Sequence, residues 1–141
     1  MRNNLFKCIK ALTWLCITLV LVACSSAPKL AAIPAGATVI ILGDSLSYGT
    51  GAAEGQDYPS LLARHSGWDV VNAGIRGNTS AQGLAGLPGL LDEHQPALLM
   101  IELGGVDFLR KIALSETEAN IRAIIQAYSN GTCRYSRLSN S

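Results

Sequence analysis

The 141-residue sequence has little net charge and little cysteine. Eleven lysines and arginines stand against ten acidic residues, so no basic surface for nucleic acid is indicated. Four cysteines are too few and too scattered to predict an intramolecular disulfide or a metal-ligand cluster. These absences exclude nucleic-acid binding and metal chemistry as leading hypotheses, and we expect no cofactor.

The N-terminal segment has the pattern of an export signal. Residues 1–10 contain three basic residues and no acid, and Ala11 to Val22 are twelve apolar or weakly polar residues, too short for a comfortable transmembrane span. Leu21-Val22-Ala23-Cys24 resembles a lipoprotein processing box, in which cleavage leaves Cys24 first and a diacylglycerol is attached to its thiol. The alternative is a plain signal peptide. Removing residues 1–23 also removes Cys8 and Cys16, so Cys133 would be the only unmodified thiol.

The remaining chain alternates apolar runs with helical patterns, which predicts an α/β fold with a parallel sheet. Apolar runs predict strands buried on both faces at Thr38–Leu42 and Ala97–Leu103, and Trp68–Asn72 is predicted as the second strand between them in sequence. Helices are predicted to open at Asp57, at Thr79 or Ser80, and at a Ser115/Glu118 capping box, the last ending at Asn130-Gly131. In doubly wound sheets the first strand lies centrally, so we expect it between the other two.

Gly43-Asp44-Ser45 follows the first strand directly. Open α/β sheets place their chemistry at the carboxyl ends of the strands, which makes Ser45 a candidate nucleophile. The competing interpretation is that Asp44 or Ser45 only caps the next helix.

Three blocks together resemble the GDSL, or SGNH, ester hydrolases, most closely the bacterial arylesterase, thioesterase and lysophospholipase branch. The blocks are Gly43-Asp44-Ser45-Leu46, Asn72-Ala73-Gly74-Ile75-Arg76-Gly77-Asn78-Thr79-Ser80 and Glu102-Leu103-Gly104-Gly105-Val106-Asp107. The resemblance spans roughly Thr38 to Tyr128 and implies a three-layer flavodoxin-like parallel sheet. It also implies that Ser45 attacks an acyl ester or lysophospholipid, while the backbone N–H groups of Ser45 and Gly77 donate to the oxyanion.

Two features of the family's site are missing from this sequence. Val106 stands where the family has an asparagine, and losing one oxyanion donor typically costs about 10²–10³ in turnover. No Asp-x-x-His pair follows, and loss of the base costs on the order of 10⁶. We interpret His65 as a surface helix-end residue and His94 as a solvent-facing loop residue at the edge remote from Ser45. The sequence alone therefore predicts little or no activity.

Two hypotheses follow for the whole chain. The first is the N-terminal part of a lipid-anchored esterase, with about three of five strands, cut short by a frameshift or premature stop. Its expected segments are a signal (1–23), a tether (24–36), the hydrolase part (37–129) and an aberrant or disordered tail (130–141). The second is a non-enzymatic surface lipoprotein that binds acyl chains or a protein partner. A DGIHP-like block in another reading frame after Tyr128 would favour the first hypothesis. In either case we expect a bacterial envelope location, with no acid after Cys24 favouring the outer membrane.

Overall fold

The computed structural model describes residues 32–138, and the side chains of residues 32–131. The predicted signal, Cys24 and most of the tether lie outside this part. The described strands are β1 (Thr38–Gly43), β2 (Asp69–Gly74) and β3 (Leu98–Glu102). The described helices are α1 (Ser45–Tyr48), α2 (Tyr58–Ser66), α3 (Ser80–His94), α4 (Gly105–Leu109) and α5 (Leu114–Leu138). Within this part of the chain, no helix is both long and apolar enough to cross a membrane.

The three strands form a parallel sheet in the order β2-β1-β3. β1 lies between its neighbours, which confirms the predicted arrangement. Its residues Val39 to Leu42 are at most 2 % exposed, because the strand is flanked on both edges and covered on both faces. In register, Gly43 of β1 pairs with Gly74 of β2 and Glu102 of β3. The carboxyl ends of all three strands therefore meet at one edge.

Helices α3 and α5 cover one face of the sheet. Ile40, Leu42 and Leu99 form a core with Leu87 of α3 and Ile124 of α5. Neighbouring strand residues point to opposite faces, so the fully buried Val39 and Ile41 face the other layer. This arrangement is the three-layer α/β architecture that the sequence predicts.

Most of the predicted helix boundaries agree with the structure. Asp57 caps α2 and accepts from the backbone N–H of Ser60 at 2.8 Å, and Gly67 ends that helix in a left-handed conformation. Thr79 caps α3 through a capping box with Gln82. Glycines weaken α3 intrinsically, yet Gly83 leaves room for Leu103, since a Cβ at that position would collide with the leucine side chain.

The last helix differs from the prediction at both ends. Its first bonds are made by the backbone N–H groups of Glu116 and Thr117 to the carbonyl of Ala113, so Ser115 lies inside the first turn and does not cap the helix. The predicted stop at Asn130-Gly131 is wrong, because α5 continues to Leu138. Gly131 does not adopt the positive φ of a helix-ending glycine. The helix thus includes residues 130–138 of the segment that the sequence assigns to the tail.

Candidate active site

Ser45 is the first residue of α1, directly beyond the carboxyl end of β1. Asp44 caps this single-turn helix, its Oδ1 accepting from the backbone N–H of Leu46 at 2.9 Å. The helix ends at Gly49, whose φ of 93° favours glycine. Capping therefore falls to Asp44, and the hydroxyl of the half-buried Ser45 makes no hydrogen bond within residues 32–131. Its oxygen is available to a ligand.

Ser47 holds α1 against all three strands. Its side chain is fully buried, and Ser47 Oγ donates to Glu102 Oε2 at the end of β3 while lying 2.9 Å from the Tyr58 hydroxyl. Its carbonyl accepts from Asn72 Nδ2 of β2 at 2.7 Å. A Cβ on Gly43 would collide with its side chain. Through these contacts Ser47 fixes the position of α1, and with it the position of Ser45 two residues earlier in the same helix.

Glu102 acts as an acceptor for hydroxyl groups. Besides Ser47, the Tyr58 hydroxyl donates to Glu102 Oε2 at 3.2 Å. Burial raises the pKa of Tyr58, and the nearby Glu102 carboxylate raises it further, against the lowering effect of its hydrogen bond with Ser47. Sequence reasoning missed Ser47 and Tyr58, because they become neighbours only when α1 and α2 pack at the same strand ends.

The second block wraps over the end of β1. The carbonyl of Gly43 accepts from the backbone N–H of Ile75 at 3.1 Å and from Asn78 Nδ2 at 3.2 Å. Gly77 has a φ of 73°, which a residue with a Cβ adopts only with strain. Arg110 Nη2 donates to the carbonyl of Gly77 at 3.1 Å and links this loop to the third block.

Val106 lies in the short helix α4 and is only 8 % exposed. Its side chain has no group that could donate a hydrogen bond. The next residue, Asp107, is 1 % exposed and anchors α4. Asp107 Oδ2 accepts from the backbone N–H of Ser80 at 2.8 Å, and Oδ1 accepts from Ser80 Oγ and from Thr117 Oγ1, the latter at 3.2 Å.

Burial raises the pKa of Asp107, but the hydrogen bonds from Ser80 and Thr117 lower it by more, so the pKa lies below its usual value. The carboxylate is therefore ionised and fully engaged in structure. It fixes the second block, which ends at Ser80, relative to the third block.

Both histidines lie away from Ser45. His65 is exposed at the end of α2, where its Nδ1 is 2.8 Å from the Leu61 carbonyl, and the prediction of a helix-end residue is confirmed. His94 is not in a loop as predicted; it is the last residue of α3, and 27 % of its side chain is exposed. It precedes Ala97, whose N–H pairs with Thr38 at the amino end of β1. A six-residue strand, about 20 Å long, separates that edge from Ser45.

Among the side chains that the structure describes, those of residues 32–131, no three histidine, cysteine or acidic groups are placed to hold a metal ion. The described site consists of a hydroxyl at a strand end, two loops that approach it, and buried carboxylates that hold those loops. A parallel sheet covered by helices on both faces, with an accessible serine at the carboxyl end of its central strand, defines an α/β protein whose candidate site lies at the usual edge of the sheet.

The sequence matches a known protein family. Residues 41–134 match the GDSL-like Lipase/Acylhydrolase family. Because the match covers well over half of the sequence, the chain belongs to this family.

Three relatives illustrate the similarity. The chain is 48 % identical over 91 residues to the thioesterase 1/protease 1/lysophospholipase L1 of Escherichia coli (strain K12), covering 63 % of this chain and 44 % of that protein. It is 40 % identical over 114 residues to the arylesterase of Vibrio mimicus, covering 77 % and 55 %. The crystal structure of AlinE4, an SGNH-hydrolase family esterase, superposes with a TM-score of 0.63 at 31 % identity, covering 70 % of this chain and 56 % of that one. The chain spans about half the length of the curated relatives it matches.

Proposed function

We propose that this chain carries the nucleophile half of an ester hydrolase of the arylesterase, thioesterase or lysophospholipase type, with Ser45 as the nucleophile. The observation that supports this most is the position of Ser45 Oγ. It stands at the carboxyl end of the central strand, without a hydrogen bond among residues 32–131, while the buried Ser47 fixes its helix. The names of the relatives support the substrate class, an acyl ester, thioester or lysophospholipid.

In the proposed reaction, Ser45 Oγ attacks the acyl carbonyl, and its proton passes to a base. The carbonyl oxygen takes up negative charge, which the backbone N–H groups of Ser45 and Gly77 would stabilise. The leaving group then departs with a proton, and water releases the acyl group from Ser45. Positive φ at Gly77 and the Arg110 contact hold the second donor loop in place.

Two steps of this reaction lack a residue in the described part. Val106 cannot donate to the oxyanion, and neither His65 nor His94 is near enough to accept the Ser45 proton. We therefore propose that the chain by itself has little or no activity. The same two observations support an alternative function, a non-enzymatic lipoprotein that binds acyl chains or a protein partner on this scaffold.

We also propose that the chain is anchored to a bacterial envelope membrane, with the outer membrane favoured, through a lipid on Cys24. The support is the residue pattern before Cys24 and the serines that follow it. Two or more acyl chains give stable anchoring where one does not.

The function is tested by chemical rescue of the missing base. A short-chain aryl ester is incubated with the chain and with Ser45→Ala, with and without imidazole as an external base. Without imidazole we expect equal rates for both proteins. With imidazole we expect the rate of the chain to exceed that of Ser45→Ala, which reports the background reaction of imidazole itself.

Equal rates at every imidazole concentration would contradict the hydrolase proposal. If the chain then still bound a fatty acid, the binding-protein alternative would be favoured. Repeating the rescue with a thioester and a lysophospholipid of the same acyl length would rank the three ester classes.

A further inference from the structure

Arg76 stacks on an aromatic ring of α1, the helix that carries the candidate nucleophile. The Cζ of its guanidinium lies 4.5 Å from the ring centroid of Tyr48. Tyr48 is three residues after Ser45 in α1, and residues three apart share a helix face. Arg76 also directly precedes Gly77 in the loop that covers the end of β1. Stacking on an aromatic ring pre-organises a guanidinium.

The stacked guanidinium keeps its hydrogen-bonding capacity. Arginine has five N–H donors in a planar fork, and within residues 32–131 Arg76 makes no ion pair and no hydrogen bond through this fork. The acids at the same edge of the sheet are engaged elsewhere: Asp44 caps α1, Glu102 accepts from two hydroxyls, and Asp107 binds α3. None of these acids forms an ion pair with Arg76, so its guanidinium fork is open to a ligand.

Exposed apolar side chains occur on the same two segments as Arg76 and Tyr48. Leu46 of α1 is 65 % exposed, and Ile75, next to Arg76, is 60 % exposed. Arg110, which reaches the Gly77 carbonyl, adds a second cation on the third block. A rim with exposed apolar residues around an arginine fork suits a ligand that combines a hydrocarbon chain with an anionic group.

We propose that Arg76, positioned by Tyr48, binds the phosphate of an amphiphilic ester and so selects substrates whose leaving group carries phosphate. A guanidinium fork matches two phosphate oxygens, and such charge-assisted bonds are about twice as strong as neutral ones. The inference rests on the proposed function only for the role of the bound molecule as a substrate of Ser45. Binding itself needs no chemistry at Ser45.

Binding is measured with two ether lipids that cannot be hydrolysed, used below the concentration at which they form micelles. One is an alkyl ether of glycerol 3-phosphate, and the other is the neutral alkylglycerol with the same chain. Arg76→Gln should weaken binding of the phosphate lipid by about tenfold or more, and change binding of the neutral lipid by less than about twofold. Arg76→Lys and Tyr48→Leu should each weaken binding of the phosphate lipid by less than Arg76→Gln does. The lysine variant keeps the charge but loses the guanidinium fork, and the leucine variant keeps the fork but loses the ring on which it stacks.

Arg122→Gln is the matched control, since it removes one positive charge from an arginine on α5 that pairs with Glu118. It should leave both affinities unchanged, and thermal melting should show that all variants remain folded. Equal weakening by Arg76→Gln and Arg122→Gln, or no weakening by either, would overturn the proposal. So would inorganic phosphate that binds as tightly as the phosphate lipid, since the site would then recognise a free anion.

Ser45→Ala separates this inference from the proposed function. It should bind the phosphate lipid as the unmodified chain does. If imidazole rescue fails while Arg76 still discriminates between the two lipids, the hydrolase proposal is wrong and the lipid site stands. If imidazole rescue succeeds but Arg76→Gln weakens binding of both lipids alike, the hydrolase proposal stands and the lipid-phosphate site is wrong.

Discussion

Replacing Asp107 should destabilise the fold more than any surface substitution. The carboxylate is 1 % exposed and accepts three hydrogen bonds, two from Ser80 and one from Thr117. Leaving a buried donor unsatisfied costs about 1–3 kcal/mol. Thr117 has an alternative acceptor in the Ala113 carbonyl at 3.5 Å, so most of the cost comes from the two donors of Ser80, which is fully buried.

For Asp107→Ala we therefore expect a loss of about 3–5 kcal/mol in the free energy of unfolding, measured by urea denaturation. Domains are stable by only about 5–15 kcal/mol, so this variant should unfold at a much lower urea concentration. Asp107→Asn keeps one acceptor and should lose about 1.5–3 kcal/mol. Glu118→Ala, which removes an exposed ion pair on α5, should lose about 0.5 kcal/mol or less. A loss below about 1 kcal/mol for Asp107→Ala would refute the reasoning.

The free energy of unfolding should also decrease as the pH is lowered, and part of this decrease should depend on Asp107. Burial raises the pKa of Asp107, but hydrogen bonds from Ser80 and Thr117 outweigh this effect and hold the pKa in the folded state below its usual value. The contribution of Asp107 to stability is therefore fully present above the unfolded-state pKa of about 3.9, and it is lost as the pH falls through the folded-state pKa. Asp57, whose pKa the Ser60 backbone N–H lowers, acts in the same direction. The stability difference between the chain and Asp107→Asn should therefore shrink below about pH 4. A difference that stays constant down to pH 2 would contradict this assignment.

Three further predictions concern the site, the anchor and the sheet. Val106→Asn alone should not raise the rate of ester hydrolysis, since no base is near Ser45. With imidazole present, the same substitution should raise the rate by about 10²-fold, because it restores an oxyanion donor. A gain without imidazole would show that a base is present. Cys24→Ala should move the protein from the membrane to the soluble fraction, and a variant that stays on the membrane with unchanged mass would disprove lipid attachment. β3 has no neighbouring strand beyond it among residues 32–138, so the chain without residues 1–23 should self-associate through that edge. A monodisperse monomer with a reversible, cooperative thermal transition would contradict this expectation.

The order and type of the elements could be predicted from local patterns. The run from Thr38 to Leu42 is apolar throughout, and only burial on both faces explains it. Asp57 and Thr79 cap their helices because each side chain bonds a backbone N–H three residues ahead, which is a local contact. The end of α5 was not predictable in this way, since a glycine in a helix is a modest cost that flanking residues can outweigh.

The sequence by itself also determined which residues lie at the carboxyl edge of the sheet, because Gly43-Asp44-Ser45 follows a buried strand. Only the tertiary structure decided which of them touch. Ser47 meets Glu102 across 55 positions, Ser80 meets Asp107 across 27, and Tyr48 meets Arg76 across 28. Hydrogen bonds and ring contacts act over a few ångströms. Partners so far apart in the chain can find each other only after β1, β2 and β3 have aligned in register and brought their ends to one edge.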